Sequence, residues 1–219
     1  MWTAEIWNML LEGIAATLYM TLASTFFGYV IGLPMGIVLN VTRREGLHPN
    51  AILYRILDFI SNIVRSIPFL ILLILLIPVA RFLIGKSYGP TAAVIALTAS
   101  AAPYIARMVE SSLNEVDPGV IEAARSMGAS NTQIVFRVLL VEARTSLVTG
   151  VTIALGTIFG YSAMAGIIGA GGLGDIASRY GYYRWQTDIM IITVIIIIIL
   201  FQTLQMIGMR TATKIDRRK

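Results

Sequence analysis

Long apolar blocks follow one another along this chain, and they constrain its fold more than any other feature. A helix needs ~20 predominantly apolar residues to cross the hydrocarbon core of a bilayer, and several blocks approach that length within 219 residues. Five membrane spans are predicted: from about Ala16 to Asn40, Asp58 to Ala80, Thr91 to Ala106, Leu147 to Ile168 and Ile189 to Ile207. The fifth is the most apolar, with Ile195 to Leu200 wholly aliphatic. The third is short and rich in Ala, Ser and Thr, which suits a helix packed inside a bundle. The expectation is an all-α, polytopic membrane protein in a lipid bilayer. Composition agrees: 57% of residues are hydrophobic, 13% are charged, and mean hydropathy is +0.78. A soluble domain of this length would need more charged surface.

Basic loops stay in the cytoplasm, so Lys and Arg set the orientation. Arg43, Arg44 and Arg55 follow the first span; Arg107, Arg125, Arg137 and Arg144 follow the third. Arg210, Lys214, Arg217, Arg218 and Lys219 follow the fifth. The opposite side carries only Arg81, Lys86, Arg179 and Arg184. The N-terminus is therefore expected outside and the C-terminus in the cytoplasm. The start, Met1-Trp2-Thr3-Ala4-Glu5, lacks the basic region of a cleavable signal peptide, so the first span is expected to be retained. This topology accounts for the net charge of +5 without invoking nucleic acid.

Several chemistries are excluded. There is no cysteine, hence no disulfide or thiolate metal site, and one histidine, His48, cannot form a histidine metal cluster alone. No metal site and no catalytic nucleophile–base set is expected. The sequence contains no GxxxxGK[ST] phosphate loop, so ATP hydrolysis by that route would need another subunit. Gly169-Ala170-Gly171-Gly172-Leu173-Gly174 matches GxGxxG, but a membrane helix precedes it where a dinucleotide site needs a strand. It reads instead as a flexible external loop.

Polar and glycine patterns mark parts of the spans. Gly28, Gly32 and Gly36 form a doubled GxxxG in the first span, and Pro34 between them should kink it. A helix-packing face is the plainer reading; a moving gate helix is the sharper one. Arg55, Asp58, Asn62 and Arg65 recur at helical spacing around the start of the second span. Arg65 is expected to pair with Asp58 beside a wet cavity or near the inner interface, since an Arg at the bilayer centre costs about 2.5–3.5 kcal/mol. Ser66-Ile67-Pro68 then interrupts the helix.

The third loop, residues 107–144, has its own helix grammar. Asp117 can cap a helix that begins at Pro118, and Gly128 can supply the left-handed residue that ends it. Ser130 with Gln133 reads as a capping box for a second helix. Val120, Ile121, Ala124 and Met127 are expected on one side of the first helix, an apolar stripe suited to a partner. Folding back onto the membrane surface is the bland alternative.

Glu122-Ala123-Ala124-x-x-x-Gly128, followed by Val138-x-Leu140, resembles the EAA loop of ATP-binding-cassette importer permeases. Arg65-Ser66-Ile67-Pro68-Phe69, the run Ala102 to Glu110, Gly160 to Gly166, the glycine loop and Tyr180-Gly181-Tyr182 resemble the methionine importer permease family. The resemblance covers roughly residues 13 to 207. It implies a type I importer fold in a bacterial inner membrane, with an external segment 1–12, a transmembrane domain 13–207 and a basic cytoplasmic tail 208–219. It implies two identical permeases, two cytoplasmic ATPase subunits that bind ATP and magnesium, and an external substrate-binding protein or lipoprotein. The chain itself would bind no cofactor. The resemblance places Val120, Ile121, Glu122, Ala123, Ala124, Met127 and Gly128 in the coupling helix, which docks on the ATPase. Expected pathway residues are Arg65, Ser66, Pro68, Tyr161, Ser162 and Met164; Met164, whose soft thioether could touch a methionine substrate, is more simply core packing. One departure is Val141, where the family usually has proline; a straighter helix start is expected there.

The implied cargo is methionine, D- or L-. Permeases for other amino acids, betaine or phosphonate share the loop. An ion-driven secondary transporter should place ionisable residues or broken helices at mid-membrane depth, and only Asp58 and Arg65 approach that.

Overall fold

The computed structural model describes residues 4–215, and every regular element among them is helical. Helix α1 (Ala4–Thr42) runs without interruption through Pro34. Of segment 1–12, the described residues 4–12 form the first turns of this helix. Helices α2 (Ala51–Ser66) and α3 (Phe69–Leu75) meet at a 102° bend. A residue before proline is pushed out of the helical region, and Ile67, with φ −82° and ψ 123°, is where the chain turns. Helix α4 (Ile77–Ile84) ends on Gly85, and α5 (Pro90–Asn114) begins at a proline. Helix α5 extends well past Ala106, so Arg107 belongs to a span and the loop after it is shorter than 107–144.

Next come α6 (Pro118–Ser126), α7 (Asn131–Gln133), a π-helical stretch (Ile134–Leu139) and α8 (Leu140–Glu142). Helix α9 (Arg144–Ala165) then enters the bundle. The straighter start expected at Val141 is not found. The Leu140 N–H donates to the Val135 carbonyl, which inserts a residue into the turn, and Ala143 (ψ −1°) breaks the helix without a proline. A turn over Gly166–Ala170, α10 (Gly172–Ile176) and a further π stretch (Ala177–Tyr182) lead to α11 (Thr187–Ile215). Arg210 and Lys214 therefore lie on a helix; Arg217, Arg218 and Lys219 fall outside the described residues.

Four helical stretches are long and apolar enough to cross a bilayer: α1, α5, residues 144–170 and α11. The bent pair α2–α3 makes a fifth if it counts as one span. The bundle is centred on α1 against α5. A Cβ at Gly28 would sit 2.9 Å from Ile105, and one at Gly32 would sit 2.6 Å from the Ala102 carbonyl oxygen. The doubled GxxxG is thus a packing face that lets two backbones touch. Hydroxyls join α1 to α9 and α10: Thr21 donates to Ser162 at 3.4 Å, and the Leu173 N–H donates to Thr17 at 2.9 Å.

The glycine run also differs from expectation. It is not a flexible external loop, because Gly172, Leu173, Gly174 and Ile176 are buried. The chain doubles back so tightly that Gly174 lies against the Ala163 carbonyl, and α10 packs under the first turns of α1 through Gly13 and Ile176. Glycine is needed here for close backbone approach, not for mobility.

Candidate functional site

The site begins with local chain chemistry at one end of the bundle. Pro118 fixes φ at the first position of α6, and the Asp117 carboxylate accepts from the Gly119 N–H at 2.7 Å. Gly128, at φ +81°, ends the helix in the left-handed region, and its N–H donates to the Arg125 carbonyl at 2.9 Å. The Ser130–Gln133 capping box forms reciprocally: the Ser130 N–H donates to Gln133 at 2.8 Å, and the Gln133 N–H to Ser130 at 3.3 Å. Asn131 reaches the Leu47 carbonyl at 3.3 Å and so ties this end to the α1–α2 connection.

The single apolar stripe expected on α6 is divided. Ala124 is buried, and half-buried Ile121 packs on the same core, which also holds Leu113, Val116, Ile134 and Leu139. Val120 and Met127 are exposed, Met127 at 81%. At 3.6 residues per turn, Val120, Ala123 and Met127 share one face and Ile121 and Ala124 another. One face therefore fixes α6 to the bundle and the other is exposed. Glu122 is exposed and, with Arg43, Glu45 and Arg125, borders a cleft between α6 and the α1–α2 connection.

The expected pathway residues separate into two groups. Arg65, Ser66 and Pro68 are exposed around the bend between α2 and α3, where Ser66 donates to the Asn62 carbonyl at 2.7 Å. Phe69, next to Pro68, stacks on Tyr161 of α9 with ring centroids 4.5 Å apart and planes within 2°. The bend is thereby fastened to α9. Ser162 is 1% exposed and donates to the Phe159 carbonyl at 2.7 Å. Through Thr21 it joins α9 to α1, and it lines no open surface of this chain. Met164 is 44% exposed, which removes the core-packing reading within this chain.

A charged group that the sequence reading did not assemble sits near the bend. Arg107 pairs with Asp58, donates to Glu110 at 2.7 Å and to Asn62 at 3.3 Å. Tyr54 donates to the other Glu110 oxygen at 3.2 Å, and Asn62 to Asp58 at 3.1 Å. Asp58 is thus the partner of Arg107 and not of Arg65, which makes no ion pair among the described residues. The reason is geometric: α2 lies against α5, whereas Arg65 points away to solvent-accessible surface. The helical recurrence of Arg55, Asp58 and Asn62 was the available signal, but it names no partner on another helix. Asn40, buried in α1, donates to Asn114 at 2.7 Å at the end of α5 that leads into α6.

Residues 28–219 match the family described as binding-protein-dependent transport system inner membrane component. The chain is 45% identical over 217 residues to the probable D-methionine transport system permease protein MetI of Vibrio cholerae, covering 99% of this chain and 96% of that one. It is 54% identical over 158 residues to the D-methionine transport system permease protein MetI of Escherichia coli (strain K12), with 72% and 73% covered. A solved structure reported as inward facing conformations of the MetNI methionine ABC transporter superposes with a TM-score of 0.96 at 47% identity, over 99% of this chain and 100% of that one. An amino acid ABC transporter solved with histidines shares the fold, with a TM-score of 0.73 at 21% identity over 97% and 94% of the two chains. Type I importer architecture, a capped helix at one end of the bundle and full-length likeness converge: this chain belongs to the binding-protein-dependent transport system inner membrane components.

Proposed function

We propose that this chain is one of two identical permease subunits of an ATP-driven importer, and that its cargo is methionine, as the D-form, the L-form or both. The observation that carries the importer reading is α6, anchored inward by Ile121 and Ala124 while presenting Val120, Ala123 and Met127 outward. A short helix with stiff caps transmits displacement without bending, which suits contact with a moving partner. That partner is an ATPase subunit holding ATP and magnesium. The cargo assignment is supported by the relatives named as D-methionine permeases.

In this reading the α6 end and Lys214 face the cytoplasm, and the first turns of α1 lie outside. ATP draws two ATPases together, each pushes an α6, and the path between two permeases opens outward to an external substrate-binding protein or lipoprotein. In this reading Arg65, Ser66, Pro68, Tyr161 and Met164 lie beside that path. Hydrolysis on the partner resets it.

The test is uptake of labelled methionine into vesicles that hold this chain with its genomically adjacent ATPase and binding protein. ATP-dependent uptake competed by unlabelled methionine is expected. ATP hydrolysis with methionine left outside would move the cargo to another small solute. Uptake driven by an ion gradient without the ATPase would overturn the importer reading.

A further inference from the structure

The turn between the last π stretch and α11 carries amphipathic aromatics, three of which are largely exposed. Tyr182, Tyr183 and Trp185 are 66%, 69% and 85% exposed. The Arg184 guanidinium lies 4.6 Å from the centre of the Tyr180 ring, and Tyr182 meets Tyr183 edge to face at 5.2 Å. The turn is nevertheless fixed. Tyr183 donates from its N–H to the Ser178 carbonyl at 3.0 Å, Gln186 to Tyr180 at 3.1 Å and Thr187 to Trp185 at 3.1 Å. Trp185 is held at φ +57°, a left-handed conformation that a bulky side chain adopts only when its surroundings impose it. The effect is to project the indole outward at the start of α11.

Helix α11 is the most apolar span, and only 11% of its most apolar window is buried. Its open flank therefore faces lipid. Its far end carries Arg210 and Lys214. At ~1.5 Å per residue, Thr187 to Arg210 spans ~35 Å, slightly more than the ~30 Å hydrocarbon core. With the basic end at one headgroup layer, Trp185 falls in the other. Tyr88, also exposed, stands at the same end, since the Gly89 N–H donates to the Gly169 carbonyl at 3.0 Å. Tyr and Trp favour this layer because one side of the ring is apolar and the other carries a donor.

We propose that the Tyr180–Trp185 turn is a lipid anchor: its aromatic rings insert among the headgroups, and Arg184 lies at the level of their phosphates. It fixes the depth and tilt of α11 against the bilayer. The partner is the lipid layer itself and not another protein.

The test places a nitroxide on Gln186→Cys in the full chain, which has no native cysteine, assembled with a cysteine-free ATPase in phosphatidylethanolamine–phosphatidylglycerol vesicles. Collisions with lipid-soluble oxygen are expected to exceed those with an aqueous nickel chelate several-fold, and added substrate-binding protein is expected to change neither. Trp185→Asp in the same background should reverse the ratio. A probe that meets the nickel chelate freely, or one unmoved by Trp185→Asp, overturns the anchor. Shielding from both reagents only when binding protein is added also overturns it and makes the turn a protein-docking surface.

Discussion

A methyl group added at Gly32 would meet the Ala102 carbonyl oxygen at 2.6 Å, whereas one added at Gly128 would meet nothing within 4 Å. The two glycines belong to regions built on different grounds. The α1–α5 seam and the α9–α10 hairpin use glycine because two backbones share the space of a side chain. The α6 end uses it because the chain must turn left-handed at φ +81° to stop a helix. The first kind of region resists motion. The second leaves a helix held on one face only, which suits the coupling role proposed for it. Stability and coupling are therefore expected to separate by region.

The largest stability effect is expected at the hairpin. Gly174→Ala forces a Cβ into the Ala163 carbonyl, which is backbone and cannot turn aside. Overpacking costs ~1–3 kcal/mol and more where relief is blocked; the upper end is expected here. The measurement is the yield of monodisperse complex in detergent and its thermal midpoint, and a wild-type midpoint would mean that the hairpin opens easily. Gly32→Ala comes next, at about 1–3 kcal/mol, read from the same midpoint. Ile105 can shift, but the Ala102 carbonyl cannot.

A smaller loss is expected for Asp58→Asn, about 1.5 kcal/mol, the lower end for a hydrogen bond to a charged group, because Arg107 keeps Glu110 and Asn62. Asp58→Asn should also loosen α2 from α5, seen as faster amide exchange in residues 54–62. Unchanged exchange would confine the network to a local role.

The smallest effect on the fold, and the largest on coupling, is expected in α6. Met127→Glu should leave the thermal midpoint unchanged while ATP-driven uptake falls at least ~10-fold, the loss that removing ~1.4 kcal/mol of contact would give. Gly128→Pro replaces φ +81° with a residue fixed near −65°. It should abolish stimulated ATP hydrolysis with membrane insertion intact, and normal coupled transport by that variant would remove α6 from the coupling path.

Features governed by a few neighbouring residues were legible in the sequence. The caps at Asp117, Ser130 and Gln133, the left-handed Gly128 and the interruption at Ser66-Ile67-Pro68 all form as their local chemistry dictates. The long apolar blocks gave the spans for the same reason, since lipid leaves the backbone no partner but its own helix. Features that depend on a partner far along the chain were not legible. Arg107 finds Asp58 across two helices, Ser162 is taken by Thr21 of α1, and the glycine run folds under α1 instead of projecting. The same limit divided α6, because helical spacing groups Ile121 with Ala124 but cannot say that Leu113 and Ile134 await them. Sequence alone thus determined which long segments are helices and where locally signalled ends fall, as at Asp117, Gly128 and Ser66-Ile67-Pro68. Tertiary structure alone decided which side of each helix is spent on the bundle and which remains for lipid or partner, because that choice is made by distances between elements and not by order along the chain.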